Sequence, residues 1–161
     1  MNQDIITGIS FSTRMLGLVI CSHYQLLKFE IKLFKDKWTL AKQSHFITAL
    51  TSCTRDYDID AIVLSIPAKH HQTNEYKSIY ELIKQYAYEK NIRFKEVERQ
   101  KLGLLCQEGK KKNKKNQMET MVRYFNELLP IYNKEITNKN KYYEKVFEAV
   151  GSVIIYTIGV N

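Results

Sequence analysis

The spacing of apolar residues along this chain changes between Leu33 and Trp38, and this change constrains the fold more than any other feature. Before it, Ile5–Ser12 and Met15–Cys21 are rich in apolar and β-branched residues, which indicates buried strands. From Leu27 onward, apolar and charged residues alternate, as in a strand with one solvent-exposed face. Because the links between these segments are short, we expect an antiparallel meander with tight turns.

The remainder of the chain alternates between helical and strand patterns. Ala61–Ile66 is a short apolar run ended by Pro67, which is typical of a buried parallel strand. The other predicted elements are a helix over Trp38–Asp56, a helix along Ile79–Ala87 with Thr73 as its cap, a strand over Ile92–Val97, a helix from Met118 that stops at Pro130, a loop over Asn133–Lys141 and a buried helix over Tyr142–Ile158.

The resulting order, β-β-β-α-β-α-β-α-α, predicts one α/β domain over residues 1–161. Right-handed crossovers would place helices on both faces of a five-stranded mixed sheet. In that sheet the first three strands are expected to be antiparallel, and the first, fourth and fifth parallel.

One short segment carries much of the formal net charge of +8. We predict a mobile basic loop over residues 109–116, because neighbouring like charges repel each other. It is either a solvated segment or a phosphate-contacting one, since clustered lysines gain affinity for nucleic acid by releasing counterions. Its lysines are Lys110, Lys111, Lys112, Lys114 and Lys115.

Several classes of protein are excluded by the sequence. No apolar run approaches the roughly 20 residues of a membrane-spanning helix. The N-terminus lacks a secretory signal, and three scattered cysteines form neither a disulfide framework nor a metal motif, so we expect a cytoplasmic protein with no membrane partner. Phosphate-binding loops, dinucleotide-binding glycine motifs and the serine-hydrolase elbow are also absent from the sequence.

Four short motifs occur in a characteristic order. They are Gly8-Ile9-Ser10 followed by Arg14, the run from Ala61 to Pro67, Val97-Glu98-Arg99, and the segment Phe147–Ile155. Together they resemble the motifs of the YqgF family, and the overall plan is similar to that of the RuvC resolvases. Both families belong to the ribonuclease-H-like superfamily, so the resemblance implies a ribonuclease-H-like fold.

The resemblance also implies a metal site, in which carboxylates hold two magnesium or manganese ions that cleave a phosphodiester. Glu98 matches the second acidic position and Glu148 the third, so these two are the candidate metal ligands. Glu144 precedes Glu148 by one helical turn and shares its face. The first catalytic position, an aspartate in the family, is Ser10 here.

Three further positions depart from the family pattern. Val97 replaces the aspartate of the D-E-R motif, while Ser65 and Lys145 stand where RuvC enzymes place acidic residues. A serine hydroxyl is neutral and is a poor ligand for magnesium. The active-site motifs are therefore degenerate.

The leading hypothesis is a non-catalytic ribonuclease-H-like protein that needs no cofactor and binds or regulates structured DNA or RNA. Arg14, Arg99 and the five lysines are its candidate nucleic-acid contacts. Two alternatives stay open: an active Mg²⁺- or Mn²⁺-dependent nuclease that uses Glu98, Glu144 and Glu148, and a protein-interaction module that retains only the fold. The oligomeric state is open as well, a homodimer included.

Overall fold

A five-stranded mixed sheet forms the centre of the protein in a computed structural model that describes residues 3–23, 25–138 and 141–159. Its strands are β1 (Ile6–Phe11), β2 (Met15–Ser22), β3 (Gln25–Leu33), β4 (Ala61–Ile66) and β5 (Arg93–Glu98). They lie in the order β3-β2-β1-β4-β5. β2 is antiparallel to β1 and β3, whereas β4 is parallel to β1 and β5, so the predicted sheet is confirmed.

Helices cover both faces of the sheet, as predicted. They are α1 (Leu40–Thr54), α2 (Asn74–Glu89), α3 (Lys114–Tyr124), α4 (Leu129–Thr137) and α5 (Glu144–Ile158). On one face α1 and α2 pack against alternate strand residues such as Ile9 and Leu64. On the other face α5 packs directly on β1, β2 and β4, and α3 packs against α5. The Thr73 side chain caps α2 by accepting a hydrogen bond from the Tyr76 backbone N–H at 3.1 Å.

Two glycines allow α5 to approach the sheet closely. A Cβ atom on Gly17 of β2 would lie 2.4 Å from the backbone carbon of Lys145. A Cβ atom on Gly8 of β1 would lie 2.6 Å from the Val153 side chain and 2.7 Å from the carbonyl oxygen of Ala149. Such distances are far below normal packing contacts, so these glycines set the height of α5 above the sheet.

The predicted loop over Asn133–Lys141 is wrong as far as Thr137, where α4 ends, and Lys139 and Asn140 lie outside the described residues. Pro130 was expected to stop a helix, but it lies in the first turn of α4. A proline is tolerated there because the first-turn N–H groups have no intrahelical partner. The preceding helix, α3, already ends at Tyr124, and a short 3-10 helix over Asn126–Leu128 leads into α4.

The basic segment is partly helical. α3 begins at Lys114, and the Asn113 side chain caps it by accepting a hydrogen bond from the Asn116 N–H at 2.9 Å. Lys114 and Lys115 therefore belong to the first turn of a helix, while Lys110–Lys112 precede it in irregular structure. The mobility of this segment remains a prediction. Among the described residues, no helix combines the length and apolar character needed to cross a membrane.

Candidate functional site

Ser10, Arg99 and Glu148 meet at the edge of the sheet where β1, β4 and β5 end. Ser10 is fully buried near the end of β1, and its hydroxyl donates a hydrogen bond to Oε2 of Glu148 at 3.2 Å. Arg99 directly follows β5, and its Nη2 donates to Oγ of Ser10 and to the carbonyl oxygen of Phe11, each at 3.1 Å. Three of the predicted site residues are thus in contact, although Ser10 and Glu148 lie 138 positions apart in the chain.

Two cations contact the single carboxylate of Glu148. Nε of Arg99 lies 2.8 Å from Oε2, but its N–H is not directed at an acceptor, so this contact is ionic. Nζ of Lys145 donates a hydrogen bond to Oε1 at 2.9 Å, from the preceding turn of α5. The Glu148 side chain is only 12% exposed, so solvent and salt screen these contacts weakly.

Lys145 occupies an environment that opposes its charge. Burial lowers its pKa from the ordinary value, and this desolvation outweighs the attraction of Glu148. The nearby positive charges of Arg99 and Lys114 lower the same pKa further. The position of Lys145 on α5 and its hydrogen bond to Glu148 keep it at the site, although burial makes its charged form less stable.

Glu98 is not brought together with Ser10 and Glu148. It pairs in register with Ile66, and residues of this parity on β4 face α1 and α2. Its side chain is exposed and accepts a hydrogen bond from Gln100 at 2.6 Å. Val97, one position earlier, lies on the face that packs against α5. The predicted second acidic position thus lies on the opposite face from the third, and the role of Glu98 as a metal ligand remains a prediction.

The other predicted residues surround the site without touching Ser10. Glu144 forms an ion pair with Lys114 in the first turn of α3. Arg14 is exposed in the β1–β2 turn, which leaves the sheet at the same edge as Ser10. Lys110 pairs with Glu119 at 3.7 Å. The remaining lysines of the basic segment, Lys111, Lys112 and Lys115, are exposed.

The residues at this edge do not fit a pair of divalent metal ions. Such ions require several anionic oxygen ligands in close proximity. Ser10, Val97 and Ser65 are neutral, Glu148 already contacts two cationic side chains, and the nearby Glu144 is paired with Lys114. Within the part of the chain that the structure describes, no group of three acidic, histidine or cysteine side chains is placed to hold a metal.

Two cavities flank Arg99, which lines both. The larger, about 890 Å³, lies on the α2 side, where Glu81, Glu96 and Glu98 oppose Lys69, Lys77 and Arg99. The smaller, about 300 Å³, lies beside α5. Its charged residues are Arg99, Lys114, Lys141 and Lys145 against Glu135, Glu144 and Glu148. Formal charges balance in the larger cavity, whereas the smaller carries four cations against three carboxylates.

The comparison with solved structures identifies the fold. Thermus thermophilus RuvC in complex with a Holliday junction substrate superposes with a TM-score of 0.72 at 12% identity, covering 97% of this chain and 96% of that one. This protein has the RuvC fold. A second Thermus thermophilus RuvC structure gives a TM-score of 0.66 at 11% identity, covering 97% of each chain. No protein-family model and no curated protein matches the sequence.

In the sequence, Lys145 stands out only as a departure from the RuvC pattern. Its i,i+3 spacing from Glu148 was the available signal, because side chains at that spacing are neighbours on a helix. The buried hydroxyl of Ser65 is another feature that the sequence could not reveal. It has no hydrogen-bond partner within the described residues, and it lies near the end of β4 on the α5 face.

Proposed function

We propose that this protein is a non-catalytic nucleic-acid-binding protein of the RuvC fold. The observation that carries the proposal is the double pairing of Glu148 with Arg99 and Lys145 beside the neutral Ser10. Cleavage by two metal ions needs a cluster of unpaired carboxylates to hold them. Here cationic side chains surround Glu148, the carboxylate that contacts Ser10.

Structured DNA or RNA is the proposed partner. One of the RuvC structures that shares this fold holds a Holliday junction, which makes structured nucleic acid the first candidate by analogy of fold. The charge distribution supports the same partner, because the basic segment leads into α3 and Lys114 lines the cavity beside α5. Clustered cations of this kind bind the phosphate backbone through counterion release.

The test combines binding and cleavage measurements. We expect the protein to bind labelled four-way junction or duplex in excess EDTA, and to leave these substrates and a single strand intact in Mg²⁺ or Mn²⁺. Metal-dependent cleavage that is lost in Glu148→Gln would instead establish an active nuclease. Failure to bind any nucleic acid at low salt would favour a protein-interaction module that retained only the fold.

A further inference from the structure

Two buried polar atoms on the α5 face of the site lack hydrogen-bond partners among the described residues. They are Oγ of Ser65 and Nε of Arg99. Buried polar atoms are almost always satisfied, and Nε of Arg99 is in ionic contact with Oε2 of Glu148 at 2.8 Å. Oγ of Ser65 is therefore the buried atom on this face that has neither a hydrogen-bond nor an ion-pair partner among the described residues. The carboxyl edge of parallel strands is also where ligands bind in open α/β sheets.

Arg99 keeps further donor capacity that the protein does not use. Its Nη2 is occupied by Ser10 and Phe11, whereas Nη1 has no hydrogen-bond partner within the described residues. The side chain is 23% exposed and lines the cavity beside α5. The hydrogen bonds of Nη2 fix the guanidinium in place, while Nη1 keeps free N–H donors. A fixed guanidinium with free N–H donors is well suited to bind phosphate oxygens.

The sign of the local charge selects an anion. Glu148 contributes one negative charge, and its two partners, Arg99 and Lys145, contribute two positive charges. The group is therefore formally +1 without any metal ion. Lys114 of the basic segment and Lys141 line the same cavity, where Glu135 and Glu144 balance their charges, so the cavity as a whole is also formally +1.

We propose that Arg99 and Lys145 form a metal-independent site for one phosphate of a nucleic-acid backbone, entered through the cavity beside α5. The two side chains replace the metal ions of the RuvC-like plan as the positive charges that face the phosphate. Glu148 positions both cations and partly neutralises them. The inference rests on the proposed function, since the phosphate belongs to the bound nucleic acid.

The experiment measures binding of a labelled DNA duplex by fluorescence anisotropy across a range of salt concentrations, in excess EDTA. Arg99→Gln is expected to weaken binding and to make the slope of log K against log salt shallower by about 0.9, the value for one phosphate contact. Arg93→Gln is the matched control. It removes the same charge at the opposite end of β5, where Arg93 pairs with Asp4, and should leave the slope unchanged.

Glu148→Gln provides a second variant with the opposite expected sign. The amide removes one negative charge and retains the size of the side chain, so binding should become tighter in EDTA. Glu89→Gln, at the end of α2, is its matched control. This variant also decides the question if Arg99→Gln fails to fold.

Three results would overturn the inference. They are equal slopes for Arg99→Gln and Arg93→Gln, weaker binding by Glu148→Gln, or binding that requires added Mg²⁺. In the first two cases the parent protein still binds nucleic acid in EDTA, so the proposed function stands. Binding that requires Mg²⁺ would also contradict the binding in EDTA that the proposed function predicts. A parent protein that binds no duplex at any salt concentration overturns the proposed function together with the inference.

Discussion

Nε of Arg99 lies 2.8 Å from Oε2 of Glu148, and this ion pair joins the end of β5 to the second turn of α5. The contact depends on the close approach of α5 to the sheet, which the glycines of β1 and β2 allow. It also places a permanent positive charge beside Ser10, at the position where the family resemblance implies metal ions. At this site the Arg99 side chain, and not a metal ion, therefore supplies a positive charge.

Ser10→Asp alone is expected to create no metal site. The new carboxylate would lie beside the Arg99 guanidinium, which already donates to Ser10, and would form an ion pair with it. Titration calorimetry with Mn²⁺ should therefore give no binding heat for this variant. Ser10→Asp combined with Lys145→Asp adds a second carboxylate and removes one cation, so weak Mn²⁺ binding is expected for the double variant.

The parent protein and Lys145→Asp alone are the controls for this titration. Clear Mn²⁺ binding by Ser10→Asp alone would contradict this prediction. It would show that a metal ion can displace the Arg99 guanidinium, and that a single substitution is enough to create a metal site.

Gly17→Ala is expected to lower the free energy of unfolding by about 1–3 kcal/mol, the usual cost of overpacking. The added methyl group would collide with the backbone of Lys145, which cannot move without lifting α5 from the sheet. Chemical denaturation of the two proteins measures the difference. Gly103→Ala is the control, since its methyl group would meet only the flexible side chain of Lys112 at 3.4 Å. Equal losses in both variants would contradict this account of the helix position.

Most of the sheet could be predicted from the sequence because β3 alternates apolar and charged residues and β1, β2 and β4 are mainly apolar. Ala61–Ile66 has apolar residues at five of its six positions, as a strand covered on both faces requires. α4 could not be predicted in the same way. Its nine residues include four polar ones and a proline, and only Ile131 and Glu135 are buried. Tertiary contacts, not periodicity, determine that this segment is helical.

The sequence could indicate which site residues lie close together, but it could not indicate which face of β5 each side chain occupies. Ser10 and Glu148 were matched to neighbouring positions, and they are in contact. For β5, Phe94 and Val97 are both apolar but lie on opposite faces, so the strand has no clean alternation. The sequence therefore could not show that Val97 faces α5 while Glu98 faces away. A shift of one residue reverses the face of every side chain in a strand.

The lysines of the basic segment are expected to contribute unequally to nucleic-acid binding. Lys110 and Lys114 already pair with Glu119 and Glu144, whereas Lys111, Lys112 and Lys115 have no ion-pair partner in the part of the chain that the structure describes. Replacing these three by glutamine should make the slope of log K against log salt shallower by about 2.7 for duplex DNA.

The double variant Lys110→Gln/Lys114→Gln is the comparison for this measurement, and it should change the slope less per lysine. Thermal stability of the triple variant should be nearly unchanged, because the three side chains are exposed. An unaltered slope in the triple variant would mean that the segment is only solvated and does not contact phosphate.

Lys145 should make the free energy of unfolding rise with pH. A lysine stabilised by a favourable ion pair would make it fall, because its pKa would be raised and not lowered. Burial lowers its pKa below the ordinary 10.5, with Arg99 and Lys114 lowering it further and Glu148 opposing them. Between its pKa in the folded chain and its higher pKa in the unfolded chain, the unfolded state binds more protons, so stability rises with pH. The destabilisation is fully present below the folded-state pKa and disappears above the unfolded-state pKa.

Lys145→Met removes this titration and supplies the measurement. The Tm of the parent protein relative to that of Lys145→Met is expected to rise as the pH approaches about 10.4, the ordinary pKa of lysine in an unfolded chain. Other titrating groups, such as the buried Tyr76, are present in both proteins and cancel in the comparison. Lys90→Met, at the exposed end of α2, controls for the loss of one surface charge. A parent Tm that instead falls relative to Lys145→Met as the pH rises would mean that the attraction of Glu148 outweighs burial, and that Lys145 stabilises the fold through its charge.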